Sequence, residues 1–227
     1  MCIRDSLNTQ VSLLAVVGKK LLEKRIASGA LSLYNIQAGW EVTEDGRVVS
    51  LAKDKRNIGY IIVQELMILT NRVLAAFMVK NNIPCLYRNH QVLSAAPPVA
   101  EISKELHSSL LAENPVLVKH ITERISLISQ PAVISTTVRG HYGLNLPAYT
   151  YLTSPIRRYP DLVNQRNLLA FINGNEFPYP LSELTLIANE YNDAHVAARK
   201  KALANYKEKA RKKGAKNLET KNYSVLS

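Results

Sequence analysis

The sequence predicts an α+β fold in which several helices accompany a mixed sheet. Three observations lead to that class. Apolar residues recur at helical spacing over long stretches, as in residues 58–80, whereas the β-branched run at 133–139 is typical of a strand. The Asp45-Gly46 pair between two short apolar runs indicates the turn of a hairpin. With 227 residues, 47% of them hydrophobic, the chain can form one domain with its own core.

The N-terminal part of the chain reads as a helix, a hairpin and a second helix. The predicted elements are an amphipathic helix over residues 7–28, strands over 30–34, 40–42 and 47–52, and a helix over 58–80. The second helix is apolar around most of its circumference, so we expect it to be buried. Asn81 and Asn82 end it shortly before Pro84.

The C-terminal part adds helices and one strand. The predicted elements are helices over residues 102–111 and 115–127, a strand over 133–139, a helix over 155–172, and a helix from about residue 182. Ser182 is a candidate N-cap for the last helix, and Gly214 is expected to break it.

Residues 149–161 form the most informative segment, because they combine a helix start with two adjacent arginines. Ser154 followed by Pro155 predicts an N-cap and a first helical residue. The free N–H groups of that turn would form an anion site, and the guanidinium groups of Arg157 and Arg158 match phosphate oxygens. A phosphate reader is one interpretation. The other is an ordinary helix in which Arg157 pairs with Asp161 at i, i+4 spacing.

The same segment contains Tyr149, Tyr151 and Tyr159, whose rings could stack on bases. A role in packing is the alternative for Tyr149 and Tyr159.

Glu65 is an acidic residue within the apolar helix over 58–80. A charged carboxylate is rarely buried without a partner. Its spacing from Arg72, like that of Gln64 from Asn71, would allow an internal polar network.

The segment closely resembles the signature of the ribonuclease II/ribonuclease R family, whose catalytic RNB domain carries Tyr-Thr-His-Phe-Thr-Ser-Pro-Ile-Arg-Arg-Tyr-x-Asp-Leu. Further motifs resemble elements of that family in the same order. They are Gly29-Ala30-Leu31, Glu44-Asp45-Gly46, Glu65-Leu-Met-Ile-Leu-Thr-Asn71, Leu86-Tyr87-Arg88 with His90, and Gly140-His141-Tyr142-Gly143-Leu144. Together they cover roughly residues 20 to 175, so the chain is identified as a member of this family.

The resemblance implies a hydrolytic exoribonuclease that degrades single-stranded RNA from the 3′ end to nucleoside 5′-monophosphates with Mg²⁺. It places Arg157 at the scissile phosphate as the catalytic residue, where a guanidinium stabilises the charge that develops on the oxygens. Arg158 would hold a neighbouring phosphate or a structural carboxylate. Glu65 would line the RNA channel. Tyr149, Tyr159 and His141 are the other candidate RNA-binding residues, with a hydrogen-bonded structural role as the alternative for His141 and for His90.

The magnesium ligands of the family are not found in this sequence. The Asp-x-x-x-x-x-Asp-x-Asp-Asp pattern of the family does not occur, and two-metal hydrolysis needs several converging carboxylates. We therefore interpret residues 7–180 as the C-terminal half of an RNB domain, 181–227 as a helical extension with a basic tail, and 1–6 as a leader that matches no element of the family. The N-terminal half, the cold-shock domains and the S1 domain of typical members are expected to be missing from this chain, which alone is expected to be inactive. The alternative is a non-catalytic RNA-binding or regulatory protein derived from the same fold.

The sequence departs from the family pattern in two places. Tyr151-Leu152 stands where His-Phe is common, and Leu33 falls where many members carry a phenylalanine that clamps the last base, although Tyr34 is adjacent. The first departure could change a contact beside the signature. The second could lengthen the shortest products.

The formal net charge of +11 is concentrated near the C-terminus, where residues 199–216 hold nine Lys/Arg and a single acid, Glu208. This tail could gather RNA by counterion release, or it could be a solvated terminus. Cys2 and Cys85 lie far apart and no secretory signal is evident, so we expect an intracellular, cytoplasmic location. No apolar stretch approaches the ~20 residues of a membrane span, so no membrane is expected as a partner.

Overall fold

The computed structural model describes residues 3–31, 34–35, 40–42, 48–50, 58–112 and 114–223. Within these ranges the helices are α1 (Ile3–Ala27), α2 (Ile58–Lys80), α3 (Val99–Leu111), α4 (Pro115–Ile128), α5 (Tyr159–Ile172) and α6 (Leu181–Tyr223). The strands are β1 (Tyr34–Asn35), β2 (Trp40–Val42), β3 (Val48–Ser50), β4 (Tyr87–Asn89) and β5 (Val133–Ser135), and a 3₁₀ turn spans Tyr142–Leu144. The predicted α+β class is confirmed.

The strands form two small sheets. Strands β1, β2 and β3 pair in chain order as an antiparallel meander, which confirms the hairpin that the sequence predicts; its Asp45-Gly46 turn lies outside the described residues. Strand β4, which the sequence did not predict, pairs antiparallel with β5 and places Tyr87 opposite Ser135. Tyr87 also bridges Thr150, and a single parallel bridge joins His90 to His141. The second sheet and its bridges therefore bring the Leu86-Tyr87-Arg88 motif next to the segment 149–161.

Several helix boundaries differ from the predicted ones. Helix α1 begins at Ile3, four residues before the predicted start at residue 7. The division of the chain at residues 7 and 181 stays a prediction. Helix α6 begins at Leu181 and continues through Gly214 to Tyr223. One glycine costs only about 1 kcal/mol relative to alanine, which is too little to end a helix of strong helix formers.

Helix α5 begins at Tyr159 rather than at Pro155, and Pro160 lies in its first turn. Proline is tolerated there because the first helical N–H groups have no partner inside the helix. A helix starting at Pro155 would have needed a hydrogen bond from residue 160, and proline has no N–H to give. The predicted strand over 133–139 likewise ends early, at Ser135. The Asn89 side chain binds Thr137 O and Arg139 N–H and directs the chain away from the sheet.

Helix α2 keeps its predicted bounds but is not buried on all sides. Its inner face, which includes Ile61, Ala75 and Met78, is buried, whereas Val63 is 58% and Val73 54% exposed. By length and composition alone α2 could cross a membrane, contrary to the expectation that no stretch approaches that size. Its buried polar side chains bond to neighbouring elements, as described below, which suits a packed helix of a domain. The absence of a membrane partner stays a prediction.

The core has three main parts. One lies between α3 and α4 and includes Leu106 and Val118; a second packs α2 against the chain from Ile83 to Tyr87. The third joins β4 and β5 to α5 and α6 through Leu86, Ile134, Val163 and Leu184. Segment 149–158 crosses between the second and third parts, and its Leu152 belongs to the second.

Candidate functional site

The segment before α5 is held from one side by helix α2. Asn71, fully buried on α2, donates from Nδ2 to the Tyr149 hydroxyl at 3.1 Å and accepts the Leu152 N–H at 3.0 Å. The predicted pairing of Gln64 with Asn71 is therefore wrong, because Asn71 bonds to a segment almost 80 positions later in the chain. An amide can donate and accept at once, which suits it to fix a loop backbone.

Helix α5 holds the same segment from the other side. The Asn164 amide accepts the Leu86 N–H at 2.8 Å and donates to Leu86 O, Thr150 Oγ1 and Tyr151 O at 2.9–3.1 Å. Thr150 Oγ1 also donates to Leu86 O at 2.6 Å. Asn164 and Thr150 are fully buried, so these bonds form away from water and fix the segment before α5 to Leu86, directly before β4.

Arg158 forms a bidentate ion pair with Asp161, with N–O distances of 2.9 and 2.8 Å. Asp161 is fully buried and also accepts the Ser154 N–H at 2.8 Å. Two predictions are therefore wrong: Ser154 is not the N-cap of α5, and Arg157 is not the partner of Asp161. Arg158 takes the structural-carboxylate role that the sequence left open, and its guanidinium carbon lies 3.9 Å from the centre of the Tyr151 ring.

Arg157 is exposed, in contrast to its neighbour. Its Nη2 lies 3.4 Å from Ser154 Oγ, and its backbone N–H donates to Ser154 O at 3.3 Å. In the described part of the chain, no carboxylate pairs with this guanidinium. The preceding Ile156 is fully exposed. The braced loop therefore presents to solvent a guanidinium without a carboxylate partner, which is the arrangement that an anion-binding role requires.

Tyr149 and Tyr159 have different environments. Tyr149 is 6% exposed, and its ring meets those of His141 and Tyr151 edge-on at 5.3 and 6.2 Å, so its faces are not open for base stacking. Burial raises the pKa of the Tyr149 hydroxyl. Tyr159 is 49% exposed at the start of α5. Of the two, Tyr159 is the one whose ring could reach a base, while Tyr149 is a packing residue.

His141 and His90 fix the turn at residues 141–146. His141 is buried and accepts the Leu144 N–H at Nδ1 at 3.3 Å, while His90 Nδ1 accepts the Gly143 N–H at 3.1 Å. Burial, with Arg88 nearby, lowers the pKa of His141 to about 3 and also lowers that of His90. Both are therefore neutral acceptors at neutral pH. The Nε2 atom of His141 is buried without a hydrogen-bond partner in the structure.

Glu65 is 2% exposed and paired with Arg25, the last arginine of α1. Arg25 donates to both carboxylate oxygens, from Nε at 2.9 Å and from Nη2 at 2.7 Å, and Gln64 Nε2 adds a third bond at 3.0 Å. The expected network with Arg72 is wrong. Sequence reasoning missed Arg25 because no motif links two positions 40 residues apart.

Arg88 on β4 was also missed as a site residue, although it lies in a motif of the resemblance. Its backbone N–H donates to Tyr149 O at 2.9 Å, and its guanidinium carbon lies 5.1 Å from the centre of the Tyr151 ring. Tyr151, the residue that departs from the family pattern, therefore lies under two guanidinium groups. Leu33, the other departure, is outside the described residues.

The carboxylates of this site do not suit magnesium. Mg²⁺ prefers near-octahedral oxygen ligands, including free carboxylates, but Asp161 and Glu65 are each engaged by an arginine. Across the described ranges, no group of three or more His, Cys, Asp or Glu side chains could hold a metal ion. These residues therefore do not fit the ion, and any metal step would need ligands from elsewhere.

Comparison with known proteins matches residues 3–174 to the model of one family, the RNB domain. Ribonuclease R of Thermotoga maritima is 32% identical over 179 residues, which cover 70% of this chain and 25% of that protein. Exoribonuclease 2 of Erwinia tasmaniensis is 33% identical over 163 residues, covering 63% of this chain and 25% of that protein. The chain thus spans about a quarter of the length of these relatives.

Solved structures show the same fold at lower identity. Mycoplasma genitalium RNase R in complex with ribose-methylated single-stranded RNA superposes with a TM-score of 0.67 at 19% identity, covering 85% of this chain and 34% of that one. Yeast Ssd1, described as a pseudonuclease, gives 0.53 at 20% identity, covering 78% and 25%. At these identities the likeness is one of fold.

Proposed function

We propose, from the premise that the chain belongs to the RNB domain family, that it is the C-terminal part of the catalytic domain of a hydrolytic exoribonuclease. The substrate would be single-stranded RNA, degraded from its 3′ end to nucleoside 5′-monophosphates. Relatives named ribonuclease R and exoribonuclease 2 support the ribonuclease class. We also propose a cytoplasmic location.

The observation that carries the proposal is the contrast between the two adjacent arginines. Arg158 is neutralised by Asp161, while Arg157 is exposed on a loop that Asn71 and Asn164 hold in place. A preorganised guanidinium binds phosphate oxygens without reorganising when charge develops on them. Arg157 is therefore the proposed contact to the scissile phosphate. Tyr159, half exposed two positions later, could contact the adjoining base.

Activation of the attacking water requires residues that this site does not supply. Carboxylates of the rest of the RNB domain would have to hold Mg²⁺, whose chemistry there would be to lower the pKa of a bound water and to offset charge on the leaving oxygen. The outer faces of α1 and α2 suit contact with that part of the domain. They carry the exposed apolar residues Leu13 (62%), Val16 (52%), Val63 (58%) and Val73 (54%). The cold-shock and S1 domains of the family would extend the same RNA path.

RNA binding by the whole 227-residue chain tests the role of Arg157. Arg157→Met should weaken binding of a fluorescent single-stranded oligoadenylate about tenfold, which corresponds to about 1.4 kcal/mol. The matched control is Arg124→Met, which removes the same charge from an arginine of α4 that is paired with Glu105 of α3. Equal affinities of the two variants in fluorescence anisotropy would contradict the proposal.

The second candidate is a non-catalytic RNA-binding or regulatory protein of the same fold. The carboxylates engaged by arginines and the structural likeness to a pseudonuclease favour it. The two candidates differ in whether the reading frame before codon 1 encodes the aspartate cluster. A protein that carries this cluster and releases mononucleotides with Mg²⁺ supports the enzyme. A third possibility, binding through the basic tail alone, predicts that deleting residues 199–227 abolishes binding while Arg157→Met has no effect.

A further inference from the structure

The Tyr151 ring lies close to two cations. The Arg158 guanidinium carbon is 3.9 Å and the Arg88 guanidinium carbon 5.1 Å from its centre. A guanidinium over an aromatic face gains electrostatic attraction, and more so where water is excluded. Burial raises the pKa of the Tyr151 hydroxyl, so the ring stays neutral and contributes no negative charge. A histidine at this position, as in the family pattern, would itself become cationic at low pH.

The two arginines differ in how their charge is compensated. Arg158 gives both ends of its fork to Asp161. Arg88 is half-buried, and among the described residues no carboxylate pairs with its guanidinium and no oxygen accepts a hydrogen bond from it. Removing a charge from water is costly unless a partner compensates it. The attraction to the Tyr151 ring compensates only part of that cost, so the N–H groups of the Arg88 guanidinium remain available to bind an anion.

The groups around Arg88 add to this positive site. His90 and His141 are neutral and supply no carboxylate, and the positive charge of Arg88 contributes to the lowered pKa of each. His141 Nε2 is buried without a hydrogen-bond partner, and because its Nδ1 accepts a hydrogen bond, the proton of the neutral ring is at Nε2. An unpaired cation and an unpaired buried donor in one neighbourhood suit an anion with several oxygens.

We propose that Arg88, supported by the Tyr151 ring, is a second phosphate-binding residue that takes a backbone phosphate next to the one held by Arg157. The inference rests on the proposed function. It extends that function from a single phosphate contact to two consecutive contacts on one strand. Arg88 and Arg157 are connected through the Tyr151 ring. Arg88 and Arg158 both contact this ring, and Arg158 directly follows Arg157. Tyr151 thereby becomes a positioning residue for the RNA backbone.

The first experiment measures binding of a 5′-labelled oligoadenylate to the whole chain over a range of salt concentrations. Arg88→Met should weaken binding about tenfold and reduce the slope of log K against log salt by about 0.7, the value of one phosphate contact on a single strand. Arg124→Met is the matched control and should leave affinity within about twofold, because its charge is already paired with Glu105.

The second experiment locates the phosphate. A series of oligonucleotides each carries one neutral methylphosphonate, and each is measured against wild type, Arg88→Met and Arg157→Met. The penalty at one linkage should vanish in Arg88→Met, and the penalty at an adjacent linkage should vanish in Arg157→Met. Arg88→Lys serves where Arg88→Met does not fold: it should keep the salt slope and lose part of the methylphosphonate penalty at the same linkage.

The results separate failure of this inference from failure of the proposed function. If Arg88→Met and Arg88→Lys show the wild-type penalty at every linkage while Arg157→Met does not, the inference is overturned and the proposed function stands. If Arg157→Met also matches wild type, both are overturned. If Arg88 binds free phosphate instead of RNA, no methylphosphonate penalty should depend on Arg88. Inorganic phosphate should then raise the melting temperature of wild type and not of Arg88→Met. That outcome also overturns the inference.

Discussion

Two parts of the molecule are held together by different means. In the block formed by β4, β5, α5, the N-terminal part of α6 and the loops between them, side-chain amides bond directly to backbone groups. The residues that do so are Asn89, Asn164, Asn167 and Asn192. The pair formed by α1 and α2 depends instead on one buried ion pair, Arg25 with Glu65, and leaves apolar side chains on its outer faces.

The difference indicates where polar contacts define the local structure. In the amide-braced block, the buried side chains of Asn164 and Asn167 bond to backbone groups of other segments, so these contacts define the course of its loops. The two helices of the α1–α2 pair are linked by the Arg25–Glu65 ion pair and expose Leu13 at 62% and Val63 at 58%. These exposed faces are the surface proposed above to contact the rest of the RNB domain.

Breaking the ion pair should have the largest effect. Arg25→Met leaves the Glu65 carboxylate buried without a cation, and the loss of one partner from such a pair typically costs about 4 kcal/mol of unfolding free energy. Urea denaturation followed by circular dichroism measures it. The control is the double variant Arg25→Met/Glu65→Leu, which removes both charges and should recover most of the loss. A single variant within about 1 kcal/mol of wild type would show that the pair is dispensable.

Removing one amide brace should cost slightly less. Asn164→Ala leaves the Leu86 N–H and the Tyr151 carbonyl without their side-chain partner in a buried site, so we expect a loss of about 3 kcal/mol. Asn175→Ala, at an exposed position after α5, is the matched control and should change stability by less than about 0.5 kcal/mol. The same urea titration applies, and equal midpoints for the two variants would contradict the bracing role.

The smallest of the three effects depends on pH. The pKa of His141 is 6.5 in the unfolded chain and about 3 in the folded one, so the unfolded state binds one more proton between these values. Stability is therefore complete above pH 6.5 and is lost as pH falls toward 3, by about 1 kcal/mol between pH 6.5 and 5.5. His141→Asn removes the titration but keeps an acceptor for the Leu144 N–H. If its stability falls as steeply as that of wild type over this range, the assignment to His141 is wrong.

The long periodic elements could be predicted from sequence, and the polar contacts between them could not. The bounds of α2 and the ends of α3 and α4 follow from apolar spacing, Asn81-Asn82 and Pro115. Strand β4 was missed because three residues give too short a pattern, and its pairing with β5 depends on contacts more than 40 positions apart. Nothing local in Asn164 indicates that it bonds to Leu86 and Thr150.

The site shows the same limit. The sequence identified Arg157 and Arg158 as phosphate forks, but it could not tell which one a carboxylate would neutralise. The structure decides this: Pro160 delays the helix until Tyr159, and Asp161 in its first turn pairs with Arg158. Arg88 lies in a motif of the resemblance, but its relation to Tyr151 exists only after β4 bridges the loop.

The pairing of Asn192 with β5 has a further consequence, for solubility. Its amide accepts the Ile134 N–H at 2.9 Å and donates to Ile134 O at 2.8 Å, which is how a neighbouring strand would bond at that position. On the opposite side of the sheet, Thr150 bridges β4. Open strand edges recruit other chains and seed aggregation, and proteins commonly cover them. Here the Asn192 side chain takes up the backbone N–H and C=O of Ile134, so another strand cannot pair with β5 at that position.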